Sequence, residues 1–591
     1  MPELPPRPRL GDYSTDGRVL VLAAAAVPIG ALGAVVARAL LWLIDAITNL
    51  AYFGRLSSVP VSPGQNALGL WSILVPVAGG LVIGAMARWG SPKIRGHGIP
   101  EALEAILIGR SRLEARVAVL KPVSSAVSIG TGGPFGAEGP IIMTGGAFGS
   151  LFAQLFHFSS AERKTLLVAG AAAGMAGVFA SPIAATLLAV ELLLFEWKPR
   201  SFIPVALAAA VAAAVRVPLL GGGPIFPTTL HPTLSPAALV AALVLGAAAG
   251  LASGLLTGFV YACEDLFQKL PIHWMWWPAI GGLCVGIGGW LDPRVLGVGY
   301  GTIRGLLQGR IVGGSAATLA IGKATVWSVA LGSGTSGGVL APLLMMGGAL
   351  GSLASSILPG GDVGLWATLG MAAMMGGTMR SPLTAIFFAG ELTGDWGLLP
   401  GLLVACVAAY AVTVLLLRRS ILTEKIARHG HHIFREYAVD PFDIHRVGEV
   451  MDGNVPTVPT AMSVRELARL VAGADPRLAR RQGTPIVDSG GHLVGIITRS
   501  DLMRSLEKEP SGAAGVLDAG TRSPIVAYED ELIRDVVERM LSAGIGRLPV
   551  VARDEPTRLV GYLGRSGIMA ARQRLLDEEH VRERGLPAVT S

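Results

Sequence analysis

One acid, Glu138, stands in the stretch Gly130-Thr131-Gly132-Gly133-Pro134-Phe135-Gly136-Ala137-Glu138-Gly139-Pro140, which runs into an apolar segment over 141–148. A carboxylate among glycines, in a chain apolar enough for lipid, is costly to bury and so points to a function. Pro140 reads as a first-turn residue of a helix, where the missing proline N–H costs nothing. Such a helix start turns unpaired N–H groups and a positive dipole end toward the glycine loop, which makes a site for an anion. The chemistry expected is competition: Glu138 and a permeating anion contend for the same partial positive charge.

The stretch has a second copy. Laid without a gap on residues 331–352, residues 129–150 give 10 identities in 22, among them Gly130, Gly132, Gly136, Pro140, Met143 and Gly145. Residues 170–192 give 11 identities in 23 with 370–392, including Ser181-Pro182 on Ser381-Pro382 and Glu191-Leu192 on Glu391-Leu392. Lys121 falls on Lys323, and Glu138 is replaced by Leu340. The chain therefore contains a tandem duplication, and one half alone carries the acid. Matching Gly/Pro-interrupted apolar segments in two halves point to a transport site between the repeats. Because Glu191 and Glu391 recur at equal places, a role in the fold is expected for both.

Composition supports a bilayer setting. Of 591 residues, 51% are hydrophobic and 15% charged, with a mean hydropathy of +0.57, against about 25% charged in soluble domains. The net charge of +7 is scattered at segment ends, the pattern of membrane topology and not of a nucleic-acid surface. Cys263, Cys284 and Cys406 are far apart in apolar runs, so neither a disulfide framework nor a metal centre is expected. The Gly-rich stretch lacks the Lys-Ser/Thr of a phosphate loop.

The elements that must position Glu138 can be read in order. A polar tail (1–17) carries Arg7 and Arg9, and a retained first helix follows over 19–53; the basic start argues for a cytoplasmic N-terminus. Further spans are expected at 70–89, 117–129, 166–179, 182–196 and 202–220, then 238–263, 277–291, 317–331, 339–357, 365–375, 382–392 and 398–417. The segments 101–108 and 303–307 are too short to cross a bilayer, and half-helices at membrane depth require protein or a wet cavity at their ends. Charges become frequent beyond Arg418-Arg419. Two similar soluble α/β units follow, each strand, helix, strand, strand, helix and each too small to stand comfortably alone. The expected organisation is a membrane part at 18–430 with halves near 18–220 and 235–430, a linker at 431–445, units at 446–508 and 515–575, and a tail at 576–591.

Three ordered motifs carry a resemblance to a known family. Gly96-His97-Gly98-Ile99-Pro100 is similar to GSGIP, Gly136-Ala137-Glu138-Gly139-Pro140 to GREGP or GKEGP, and Gly338-Val339-Leu340-Ala341-Pro342 to GxFxP. Inside a duplicated membrane chain they resemble the CLC family of chloride channels and proton-coupled chloride exchangers, followed by a CBS domain pair. The resemblance implies an all-α inverted-repeat membrane domain with broken and half-spanning helices plus an α/β CBS pair. It implies a homodimer with one chloride path per subunit, cytoplasmic CBS domains and no enzymatic activity; the plasma membrane is the location expected from the basic loops. Glu138 is implied as the gate, and His97, Gly98, Ile99, Gly136, Gly139, Val339, Leu340 and Leu422 as the anion-binding positions.

The chain also departs from the family pattern. His97 replaces the central serine, which removes a hydroxyl and installs a group able to change charge near pH 6.5. Leu422 stands near the family's tyrosine. The second of the exchangers' adjacent glutamates is Leu192, so the internal proton acid is missing; this favours channel-like conduction, with proton-coupled exchange, or transport of fluoride or nitrate, as the alternative. In the soluble pair, Thr498 and Asp501 match the family's ribose-holding positions, while Gly564 and Gly567 stand at the second set. An adenosine nucleotide is expected at one site at most, against a packing and dimerisation module. A nucleotide-sensing regulator that merely sits in the membrane is the competing class, and it leaves the broken repeated helices without a purpose.

Overall fold

A computed structural model describes residues 17–107, 111–229, 231, 234–359, 362–428, 442, 445–473, 478 and 481–569. The chain divides into two units, 11–436 and a second made mainly of 437–591.

The duplication becomes visible when the helices of the larger unit are paired. The first half contributes α1 (Arg18–Phe53), α2 (Leu74–Trp89), α3 (Ile99–Leu107), α4 (Ala115–Gly130), α5 (Glu138–Leu155), α6 (Ser160–Phe179), α7 (Pro182–Leu188) and α8 (Pro199–Leu220). The second half repeats the series as α9 (Pro236–Gln268), α10 (Trp277–Leu291), α11 (Tyr300–Leu307), α12 (Gly313–Gly332), α13 (Leu340–Ala354), α14 (Val363–Met379), α15 (Pro382–Thr393) and α16 (Leu399–Leu416), after which α17 (Ile421–Arg428) closes the unit. Proline falls in the first turn of α7, α8, α9, α10, α15 and α16, where a residue without an N–H is free to start a helix. Segments Arg18–Phe53, Gly69–Trp89, Pro199–Leu220, Pro236–Gln268 and Trp396–Arg428 are long and apolar enough to cross a membrane. Two helices are short, α3 with 9 described residues and α11 with 8, well under the about 20 needed to cross a bilayer; Ile108 lies outside the described residues.

Glycine sets how closely these helices approach. A Cβ on Gly145 of α5 would strike the carbonyl oxygen of Gly170 in α6, and one on Gly347 of α13 would strike that of Gly370 in α14. The same contact thus recurs at matching places in both halves, the close backbone approach that small residues permit in lipid. One apolar core runs through both halves, from Ala34 and Leu40 to Trp327, Trp366 and Leu402.

Two glutamates tie the halves together. Glu191 accepts from the N–H groups of Leu383 (3.2 Å) and Thr384 (2.8 Å), and from the Thr384 hydroxyl (2.6 Å). Glu391 accepts from Ile183 (3.0 Å) and Ala184 (2.8 Å). Each acid therefore caps the first turn of the other half's proline-started helix, satisfying donors left free by the helix start. This is the fold role expected from their equal positions. The span expected over 182–196 changes character halfway: α7 passes into a π-turn at Ala189–Leu194, and Phe195 ends it at φ 55°. Its counterpart α15 stays regular to Thr393.

The smaller unit holds two sheets. The first has order β1-β2-β3-β4, from Val458–Pro459, Gly483–Val487, Leu493–Thr498 and Thr521–Arg522; the second has order β5-β6-β7, from Ala527–Tyr528, Arg547–Val551 and Leu559–Gly564. In both, the first pair is parallel and the second antiparallel, with a register shift at Ile486/Val487 and at Val550/Val551. Helices α18 (Val464–Ala472), α19 (Arg499–Lys508) and α20 (Ile533–Ser542) cover the sheets, giving two related apolar cores around Ile486 and Val550.

Candidate functional site

The three motif loops meet in the middle of the larger unit. Gly96 bridges to Ser336, and Gly136 exchanges both backbone bonds with Gly338, N to O 3.3 Å and 2.9 Å. Glycine is required at these crossings. A Cβ on Gly98 would stand 2.5 Å from the Gly139 carbonyl oxygen, and one on Gly139 would strike that of His97 and lie 3.1 Å from Gly338 Cα. The loops therefore form one knot, with the starts of α3, α5 and α13 leading out of it.

Glu138 occupies the knot. It is fully buried and is itself the first residue of α5, two residues before the proline that marked the helix start in the sequence. Its carboxylate does not stay with its own helix. Oε1 accepts from the N–H of Leu340 and, at 3.2 Å, from that of Ala341, the first residues of α13. The acid of one repeat thus sits on the helix start of the other, where the sequence reading had placed the contest at the start of α5. Oε2 is buried without a partner among the described residues. The donors that hold Oε1 are those a bound anion would need.

Other predicted residues are placed as follows. Val339 is the residue before α13 and is fully buried; Ile99 opens α3 and is also buried. His97 is 3% exposed, and its Nδ1 has no partner among the described residues. Leu422 is fully buried in α17, which packs against α3. Sequence reasoning missed Ala341, the second donor to Glu138, because an N–H at a helix start belongs to every residue type alike.

Buried ammonium groups brace the loops from both sides. Lys121 donates to the carbonyls of Ile94 (2.8 Å) and Gly96 (2.7 Å), and Lys323 to those of Val295 (2.9 Å) and Gly297 (3.0 Å). Both are fully buried. Each ties down the loop that precedes a short helix. At the α3 start, Glu101 accepts from Gly98 N–H (2.7 Å) and pairs with Lys425 of α17 at 2.5 Å. A hollow of about 540 Å³ opens beside this loop, walled by Arg95, His97, Glu101, Glu264, Trp274 and Lys425.

In the smaller unit, Thr498 and Asp501 are spent on one another. The Thr498 hydroxyl and N–H donate to Asp501 at 2.6 and 3.0 Å, and Asp501 N–H returns a bond at 3.2 Å, capping α19. They do not line the large hollow of about 1450 Å³ in this unit, whose wall includes Asp452, Arg481, Arg547, Tyr562 and Arg565 with Gly564 and Gly567. That hollow is basic and carries one aromatic face: Arg481 stacks over Tyr562 at 5.5 Å and pairs with Asp452.

Residues 79–414 match the profile of the family described as voltage gated chloride channel, and residues 447–508 and 516–574 each match that of the CBS domain. The chain is 30% identical over 402 residues to the voltage-gated ClC-type chloride channel ClcB of Escherichia coli O17:K52:H18, a match covering 66% of this chain and 90% of that protein. It is similar in fold to a slow cyanobacterial Cl⁻/H⁺ antiporter, with TM-score 0.61 and 23% identity over 70% of this chain and 99% of that one. It is also similar to a eukaryotic CLC transporter, with TM-score 0.58 and 20% identity over 93% and 98% of the two chains.

Proposed function

Because the chain belongs to the voltage-gated chloride channel family, whose activity is anion transport across a membrane, we propose that it carries chloride through a path gated by Glu138, in channel-like fashion. The observation that carries this reading is the Glu138 carboxylate resting on the N–H groups of Leu340 and Ala341. An ionised carboxylate fills the anion's place; protonation weakens its hold on those donors and frees them for chloride. Fixed dipoles with buried ammonium groups set back in the loops suit a site that must bind and release. Chloride as the cargo is supported by the name of the Escherichia coli relative. Channel-like conduction is supported by Leu192 beside a Glu191 already spent on capping α15.

Reconstituted vesicles test the proposal. Chloride efflux is expected to rise as pH falls through the range where Glu138 takes a proton, and Glu138→Gln is expected to give high, pH-independent efflux. Efflux that keeps its full pH dependence in Glu138→Gln removes the gate. A chloride gradient that drives protons uphill replaces the channel by the exchanger. The remaining features proposed are a homodimer with one path per subunit, residence in the plasma membrane, and cytoplasmic placement of the N-terminus and CBS pair.

Regulation by an adenosine nucleotide is the second part of the proposal. The basic hollow with Arg481, Arg547, Arg565 and Tyr562 suits phosphates and an aromatic ring, whereas Thr498 and Asp501 hold a helix start. Titrating the full chain with ATP, ADP and AMP separates these places: Arg547→Gln is expected to abolish binding and Asp501→Asn to spare it. Loss of binding in Asp501→Asn alone returns the site to the Thr498 side.

A further inference from the structure

Two buried lysines hold equivalent places in the repeats but differ in the charge they meet. Lys121 and Lys323 fall on one another in sequence, both are fully buried, and each donates to two carbonyls of a loop before a short helix. The charges that act on Lys121 are Glu101 and Lys425, which pair at 2.5 Å. The charge that acts on Lys323 is the Glu138 carboxylate, and among the described residues no acid lies within ion-pairing distance of it. The loop that Lys323 braces is also tied to the loop of the acid, for Gly297 N–H donates to the Gly132 carbonyl at 3.0 Å. An ammonium satisfied only by neutral carbonyls keeps its charge unbalanced, and in a low-dielectric interior that charge reaches the nearest carboxylate.

The other charged groups of the neighbourhood are otherwise placed. The Glu138 loop, residues 130–140, contains no Lys or Arg, and Ala137 stands where the motif it resembles has a basic residue. On the helices packed against α5, Arg18 pairs with Glu162 at 2.6 Å, Lys164 donates to the Leu194 carbonyl at 3.1 Å, and Arg38 acts on Asp45. Arg116 is exposed, Arg163 stands near Arg112, and His97 and Glu104 wall the hollow that Lys425 also walls. Around α12, Arg294 pairs with Asp292 at 2.7 Å, Asp265 pairs with Arg428, and Glu264 adjoins Gly332 at the far helix end. Neither α10 nor α13 carries an acidic or basic residue. Tyr300, first in α11, brings a buried hydroxyl near Glu138, uncharged and without a partner among the described residues.

We propose that Lys323 is a positioning residue of the gate: its ammonium is the countercharge that holds Glu138 ionised on the α13 start, and it thereby sets the pH at which the path opens. Lys121, its match in the other half, braces a loop and has no part in that pH dependence. The proposal rests on the reading of Glu138 as the gate. Its sign follows from the charges. A cation near a carboxylate favours the ionised form, so its removal lets Glu138 take a proton, and the path open, at higher pH.

Chloride efflux from vesicles reconstituted with the full-length protein, followed against pH, tests it with the matched pair Lys323→Gln and Lys121→Gln. Glutamine keeps N–H donors for the loop carbonyls and loses the charge. Lys323→Gln is expected to move the midpoint of the pH profile upward by about one pH unit, the low end of what a nearby opposite charge supplies. Lys323→Arg, which keeps the charge, is expected to hold the wild-type midpoint, and so is Lys121→Gln. A midpoint unmoved in Lys323→Gln, or moved equally by Lys121→Gln, overturns the proposal and leaves both lysines as braces. Thermal unfolding gives a second measurement that does not depend on flux. Lys323→Gln combined with Glu138→Gln removes both charges together and is expected to lose less stability than the two single losses added, whereas Lys121→Gln with Glu138→Gln is expected to be additive; additivity in both pairs also overturns it. A pH profile abolished by Glu138→Gln yet unmoved by Lys323→Gln leaves the gate standing and removes the countercharge alone. A profile that Glu138→Gln does not alter removes the gate and the countercharge together.

Discussion

At the scale of single residues, the strongest constraint is the room allowed to one carboxylate. The atoms nearest to a Cβ on Gly136 would be those of the Glu138 carboxyl group, with Oε2 at 1.8 Å. Gly136 does not have a positive φ, so alanine fits its backbone and collides first with the acid. Gly136→Ala is therefore expected to push the Glu138 side chain off the α13 start without changing any charge. In vesicle efflux it should behave like Glu138→Gln, with raised flux at neutral pH and a flattened pH profile; a profile like the wild type's would show that the acid has room to stay. Lys323 makes a second residue-scale case. Truncation to Met strips the carbonyls of Val295 and Gly297 of their donor in a buried place, at a cost of about 1–3 kcal/mol for each group left unpaired. Thermal unfolding of Lys323→Met should fall accordingly, and Lys121→Met should do the same through Ile94 and Gly96.

At the scale of elements, the reciprocal caps are the natural object of test. Glu391→Gln keeps the size of the side chain and removes the charge that faces the α7 start, so a loss of about 1 kcal/mol is expected from the charge–dipole interaction and weakened bonds. Glu191→Gln is expected to lose somewhat more, because the Thr384 hydroxyl also depends on it. The caps lie on different helix starts, so the double variant should be additive in a denaturation series; strong non-additivity would show that the two crossings form one cooperative unit. Much of this architecture was legible in the chain. Repeated glycines, Ser-Pro pairs and glutamates gave the duplication, because close helix crossings and helix starts demand particular residue types. The π-turn at Ala189–Leu194 was hidden, since its residues are as apolar as those of α15. Also hidden was the side on which Glu138 bonds. The sequence shows that an acid neighbours a helix start, but which of two helix starts it reaches depends on the Gly136–Gly338 pairing, a contact between residues 202 positions apart.

At the scale of the whole molecule, the two halves are joined by the segment between α8 and α9, and the state of that segment bears on the stability of the pair. Phe226 N–H bonds the carbonyl of Leu392 at 2.8 Å, and its buried ring meets Tyr300 at 5.6 Å. His231 then stands between two acids of the second half, with Nδ1 at 2.6 Å from Asp395 and Nε2 at 3.1 Å from Asp362. Burial by itself would push this imidazole down, but the hydrogen bonds and charges of Asp395 and Asp362 outweigh it and hold it above the ordinary value. A histidine raised in the folded state stabilises that state fully below its unfolded value near 6.5 and loses the contribution as pH climbs through the folded value. The melting temperature of the purified protein should therefore fall as pH rises above about 6.5. His231→Gln, which bonds without taking a proton, should remove that slope while leaving any acid-side change intact. A slope that survives the substitution would place the titrating group elsewhere and reduce the His231 contact to packing.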